Sequence, residues 1–229
     1  DLSLRYREAK STFEDIQKQS VMMIDGWCAR YEEKIREKGG IGFFLGGIGP
    51  DGHIAFNIRG SDHYSTTRLM ETNFETQAVA AGDLGGIAVS RNRLVITIGL
   101  RTITYDPDAV AIIIAAGEAK AGVVKDALEN EAGNQYPATA LHKLNNARFY
   151  LTRGAACQLS DSVEAYYTEG PWTQEKTDRA VLDLVRRIDK YGHHLTLNDL
   201  KHDPWCRLIP NLDENIVPAA IERFRQKIA

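Results

Sequence analysis

Apolar positions follow two different patterns along this chain, and each marks a different kind of element. Between residues 11 and 37, Phe13, Ile16, Ser20, Met23, Trp27, Tyr31 and Ile35 recur at steps of three or four, with Glu, Lys and Arg filling the other faces. That spacing predicts a long amphipathic helix. Ser11 stands at the N-cap position, Glu14 completes a capping-box pattern, and Gly39-Gly40 supplies the stop. Three short runs, 41–45, 94–98 and 110–114, are instead apolar on successive positions. They are too short for helices and read as strands buried on both faces. The turn signal Tyr105-Asp106-Pro107-Asp108 separates the second from the third. After Gly117, a helix is expected over 118–130 with Ala121, Val124, Ala127 and Leu128 on one stripe, followed by a strand over 148–152.

Buried strands alternating with helices point to an α/β fold, Rossmann-like, with a mostly parallel sheet flanked by helices. The pattern changes near residue 169. A helix is expected over 174–190, with Val181, Leu184, Val185 and Ile188 on one side. The remaining stretch, punctuated by Pro204, Pro210 and Pro218, reads as irregular turns and short helices. The expected organisation is an α/β domain over 1–168 and a helical extension over 169–229, which Trp172 and Trp205 anchor to the main unit.

Composition narrows the function classes. With 229 residues, 43% hydrophobic and 26% charged, the chain is too apolar to be disordered. No run approaches the roughly 18 apolar residues of a membrane span. Lys and Arg number 28 against 31 Asp and Glu, a net charge of −3, so a broad grip on nucleic acid is not expected. Neither nucleic acid nor a membrane is therefore expected as a partner. The mixed-charge face of the first helix leaves room for a homo-oligomer. Cys28, Cys157 and Cys206 are odd in number and far apart, which fits reduced thiols and a cytoplasmic location. His193, His194, His202, Asp203 and Cys206 match no standard zinc spacing, and no metal site is expected.

The candidate chemistry lies in Gly46-Gly47-Ile48-Gly49-Pro50-Asp51-Gly52-His53-Ile54-Ala55-Phe56-Asn57, directly after the first apolar run. In a parallel α/β sheet, loops at the carboxyl ends of strands form the usual binding crevice. Gly47, Gly49 and Gly52 let the backbone approach a ligand and aim N–H groups at an anion; a tight structural turn would use the same residues. Asp51 and His53 are two apart across a glycine, so a bend can bring them together. A carboxylate beside imidazole fixes its tautomer and equips it to pass protons. The same spacing also fits a His that merely caps a backbone carbonyl.

This loop, together with Tyr31-Glu32-Glu33-Lys34-Ile35-Arg36, Thr67-Arg68, the 94–104 stretch and Gly117-Glu118-Ala119-Lys120, resembles the glucosamine-6-phosphate deaminases (isomerases). The related 6-phosphogluconolactonases share a Gly-rich Asp-Gly-His loop but continue differently, and Ile54-Ala55-Phe56-Asn57 tips the choice. The resemblance implies aldose–ketose isomerisation of a phosphorylated amino sugar with loss of ammonia, requiring no metal or cofactor. It implies that His53 assists ring opening, that Asp51 holds it, and that Lys120 contacts the phosphate. Without it, Lys120 reads as an ordinary solvated charge, and Arg68 fits a surface role as well as a family one.

The chain also departs from the family pattern. The phosphate loop and general-base Asp expected upstream of the Tyr31–Arg36 match are not recognisable, so the chain is expected to lack the family's N-terminal portion. The Glu that supports the ring-opening His is replaced by Ile58, and Arg101 stands where a Gly is usual. Glu71, Glu75 and Asp83 carry no motif that names any of them as the base. A non-catalytic sugar-phosphate-binding module and a lactonase-like hydrolase are the alternative readings.

Overall fold

A computed structural model of the protein describes residues 1–82, 85–90, 93–188 and 194–228. The chain divides into two compact units, Asp1–Leu159 and Ser160–Ala229.

In the first unit, α1 (Thr12–Glu37) begins as its sequence dictates, the Ser11 hydroxyl accepting from the Glu14 N–H at 3.2 Å. The Glu14 carboxylate does not close the box on Ser11; it takes the Lys10 N–H at 2.7 Å and pairs with Arg7. Next come β1 (Phe43–Gly47), β2 (Arg68–Glu71), α2 (Phe74–Ala80), α3 (Ile87–Ser90), β3 (Leu94–Thr97) and α4 (Leu100–Ile103). The unit finishes with β4 (Val110–Ala115), a 3₁₀ turn at Glu118–Lys120, α5 (Ala121–Glu129), a 3₁₀ segment at Pro137–Lys143, β5 (Asn146–Leu151) and α6 (Arg153–Ala156).

The main sheet is parallel, in the order β1-β4-β5, with Phe43 opposite Val110 and Val110 opposite Asn146. Strand β4 sends Ala111, Ile113 and Ala115 into a core shared with Leu100, Ile103, Val124, Ala127 and Leu141. Strands alternating with helices around a parallel sheet make this the Rossmann-like α/β class. Two expectations change. The 94–98 run does form a strand, but β3 pairs antiparallel with β2 in a separate two-stranded sheet. The 41–45 run is not buried on both faces: Phe43 and Leu45 are more than half exposed, as are Ile114 and Tyr150 on the same sheet face. β1 lies at the sheet edge, and only the opposite face packs into the core cluster.

Helix α1 shows the same reversal. Its buried residues are Val21, Cys28 and Glu32, while Phe13, Ile16, Met23, Trp27 and Tyr31 are exposed. A polar anchor decides which side faces inward. One oxygen of the buried Glu32 carboxylate accepts from the Thr67 N–H at 3.1 Å, the Thr67 hydroxyl at 2.8 Å and the Thr102 hydroxyl at 2.9 Å. Arg5 adds a bidentate bond to Asp25 and reaches the Leu69 carbonyl, tying the chain start, α1 and β2 together.

The second unit contains α7 (Ser160–Thr168), α8 (Gln174–Ile188), α9 (Leu197–His202) and α10 (Ile216–Ile228). Its own core gathers Tyr167, Val181, Leu184, Leu200, Cys206 and Val217. Trp172 and Trp205 stack on Tyr167 inside that core, with ring centroids 6.0 and 5.2 Å away. The stretch after α9 is more helical than its prolines suggest. Pro218 falls in the first turn of α10, where its missing N–H would have no helical partner in any case. His193 lies outside the described residues. His202 bonds the Asn198 carbonyl, Cys206 donates to the Ala180 carbonyl, and Asp203 caps the Trp205 and Cys206 N–H groups. Burial pushes the Cys28 and Cys206 thiols up, away from the reactive thiolate. No helix among the described residues is long and apolar enough to cross a membrane.

Candidate functional site

Strand β1 delivers the glycine-rich loop at its carboxyl end. Gly47 closes the strand opposite Ile114, and Ile48 turns into the core. The chain then folds back on itself, with Gly52 N–H to the Gly49 carbonyl at 3.1 Å and Gly49 N–H to the His53 carbonyl at 2.9 Å. Two glycines are indispensable here. Gly52 sits at φ +81, and a Cβ on Gly49 would fall 2.0–2.3 Å from the His53 ring atoms. The imidazole therefore lies directly on the Gly49 backbone.

The residues after His53 lock the bend. Ile54 is fully buried, Ala55 adopts a left-handed φ of 52, and the exposed Phe56 ring stacks on His53 with centroids 6.2 Å apart. The buried Asn57 amide donates to the Ile54 and Ile98 carbonyls at 3.0 and 2.8 Å, fastening the loop to the end of β3.

Within this frame Asp51 and His53 meet, Oδ1 standing 2.5 Å from Nδ1. The Asp51 side chain is almost wholly buried, whereas His53 keeps 13% of its side chain exposed. Burial alone would push the Asp51 carboxyl up. The His53 imidazole, the Arg59 N–H at 3.0 Å and the Asn73 amide at 2.6 Å outweigh it and hold the carboxyl well below the usual carboxylate range. An ionised carboxylate only accepts, so Nδ1 carries the proton and Nε2 is left to exchange one. The spacing also allowed a His capping a backbone carbonyl; here its side-chain partner is a carboxylate. Asp51 and Gly52, but not His53, line a small pocket with Pro50, Arg59, Asp126 and Tyr136.

Lys120 lies just before α5, and its Nζ donates to the Ile48 carbonyl at 2.9 Å. The ammonium is thus held against the loop that contains Gly47, Gly49 and Gly52. Arg68 is turned inward to Asn57 Oδ1 at 2.8 Å, the Ser61 hydroxyl and the Thr66 carbonyl, and burial lowers its pKa. Arg101 stacks over the Tyr105 ring at 5.5 Å. Ile58 brings no polar side chain to the loop. Glu71 ends β2, Glu75 lies in the first turn of α2, and Asp83 falls outside the described residues.

Three contacts had no local sequence signal: the Arg59 N–H, the Asn73 side chain, and the Thr76 hydroxyl 3.4 Å from His53 Nδ1. Asn73 is the N-cap of α2, and only the fold carries it to Asp51.

The chain is similar to several proteins named glucosamine-6-phosphate deaminase. It is 34% identical over 160 residues to that of Caenorhabditis elegans, spanning 67% of this chain and 59% of the worm protein. Identity to the Borreliella burgdorferi protein is 34% over 166 residues, 68% of this chain and 60% of that one. For Fusobacterium nucleatum it is 30% over 180 residues, covering 76% and 65%. A solved monomeric glucosamine-6-phosphate deaminase superposes with a TM-score of 0.53 at 30% identity, over 58% of this chain and 54% of its own. No family model matches the chain. The chain spans about three fifths of the length of the first two curated relatives.

Proposed function

The chain belongs to the glucosamine-6-phosphate deaminase family, and from that premise we propose that its Asp51–His53 loop opens the ring of glucosamine 6-phosphate on the way to fructose 6-phosphate and ammonia. The carrying observation is the 2.5 Å carboxylate–imidazole contact at the carboxyl end of a parallel strand. Ring opening breaks the C1–O5 bond. One proton leaves the anomeric hydroxyl, another reaches O5, and C1 becomes an aldehyde. His53 Nε2 is the group for this exchange, because Asp51 holds the proton on Nδ1 and stabilises the imidazolium that forms in passing. Lys120, with the start of α5, supplies the positive field for the phosphate, the Gly49 and Gly52 N–H groups being used within the turn itself. In the following step C2 loses a proton and C1 gains one, while the amine loses a proton and O1 gains one. The resulting C2 imine takes up water and releases ammonia.

Ammonium release from glucosamine 6-phosphate by the protein tests this reading. With His53→Gln, kcat is expected to fall roughly 10²–10⁴-fold, the range for a general acid–base group, with KM within a few-fold. With Lys120→Ala, KM is expected to rise by about tenfold or more, as loss of a charge-assisted bond to phosphate predicts. Saturable binding without turnover would reduce the site to a sugar-phosphate-binding module. Hydrolysis of 6-phosphogluconolactone in place of ammonia release would overturn the deaminase reading.

A further inference from the structure

Asp51 uses both carboxylate oxygens. Oδ1 takes the His53 proton, while Oδ2 accepts from the Arg59 N–H and from Asn73 Nδ2. Asn73 comes from neither the glycine loop nor its strand; it is the N-cap of α2, twenty-two residues beyond Asp51. Its amide serves two masters at once: Oδ1 accepts the Thr76 N–H at 3.0 Å and Nδ2 donates to Asp51 at 2.6 Å. The partners fix the orientation of the amide, since an N–H must meet the oxygen and a carboxylate must meet the nitrogen. One turn along, the buried Thr76 hydroxyl approaches His53 Nδ1 at 3.4 Å. On the loop itself, Ile58 has no group that can orient anything.

We propose that Asn73 is the positioning residue of the Asp51–His53 pair, the start of α2 doing in this chain what the apolar Ile58 cannot. Asn73 clamps Oδ2 so that Oδ1 points along the line to His53 Nδ1, and Thr76 borders the imidazole on the same side. A carboxylate held only by the Arg59 N–H would swing about its Cβ–Cγ bond, and the imidazole would lose its fixed tautomer. The inference rests on the reading of Asp51–His53 as the proton-transfer pair, and its test separates the two.

Asn73→Ser and Asn73→Asp both keep an oxygen that can cap the Thr76 N–H, but neither keeps the amide donor. Ring ¹⁵N shifts of His53 in the intact protein at neutral pH, without substrate, report which nitrogen bears the proton. The wild type is expected to show the Nδ1–H tautomer alone. Both variants are expected to show a mixture with Nε2–H; the melting temperature of Asn73→Ser stays within about 3 °C, since the cap survives, whereas Asn73→Asp lowers it by setting a second carboxylate against Asp51. On glucosamine 6-phosphate, kcat is expected to drop roughly 10–100-fold with KM within about twofold, as for a misaligned proton carrier. A pure Nδ1–H tautomer and wild-type kcat in both variants would make Asn73 a helix cap only and overturn the proposal. A tautomer mixture in a protein that never turns over the sugar would uphold the positioning role and sink the deaminase reading instead.

Discussion

Gly49 and Asp51 shape the loop by opposite means, one through the side chain it lacks and the other through a buried charge satisfied on every side. A methyl group at position 49 would occupy the His53 ring. Gly49→Ala is therefore expected to displace the imidazole and cut kcat by about 100-fold, while circular dichroism still reports the wild-type fold. Ala55 carries strain of another kind, because a left-handed φ of 52 places its Cβ against the following carbonyl. Ala55→Gly is expected to raise unfolding stability by about 1 kcal/mol in urea titrations. At this scale the sequence was readable where chemistry is local. Asp51 and His53 are two apart, and the glycine between them announces a bend. Asn73 was not readable as a partner, because nothing within a few residues of it points to Asp51. The contact exists only once β2 has carried the chain back beside the loop.

Helix α1 illustrates what a periodic pattern does and does not settle at the scale of elements. Steps of three and four fixed the helix and its cap, but the apolar stripe they traced is the exposed side. The inward side is set by Val21, Cys28 and the three hydrogen bonds to Glu32, and a polar anchor of this kind looks like surface in a hydrophobicity pattern. Urea titrations of three variants distinguish the two faces. Met23→Gln is expected to change stability by less than about 0.5 kcal/mol, and Val21→Asn to cost about 2 kcal/mol. Glu32→Ala is expected to cost about 3 kcal/mol, since it strands donors on Thr67 and Thr102. The 94–98 run makes a related point. Its composition announced a strand, yet its partner β2, with Arg68 and Glu71 at its ends, had too polar a pattern to be recognised. The partner, not the run itself, decided which sheet β3 joined.

Across the whole molecule, the α/β class was legible because β1 and β4 are apolar runs punctuated by helices, while β5 mixes Asn146 and Arg148 with its apolar residues. The exposure of Phe43, Leu45, Ile114 and Tyr150 was not, because composition cannot say which sheet face is packed. Acid stability is another whole-molecule property, with a traceable source in His63. Burial, then the charge of Lys143, lowers its pKa from the ordinary 6.5, against the Gly133 hydrogen bond and Asp62, with His142 adding to the lowering. Its Nε2 is buried with no hydrogen-bond partner among the described residues. The unfolded chain then binds this proton more readily than the folded one, so stability is complete above pH 6.5 and declines as pH falls below it. His63→Gln is expected to flatten the decline between about pH 6.5 and pH 5 in urea titrations at stepped pH. Asp51, held low in the fold, adds a second loss below its unfolded value of 3.8. The central claim, that an imidazole seated on Gly49 and steered by Asp51 moves the proton that opens the sugar ring, is tested most directly by following anomer exchange of glucosamine 6-phosphate by NMR. The wild-type protein should accelerate exchange and His53→Gln should abolish the acceleration while still binding the sugar; equal exchange rates with the two proteins would contradict it.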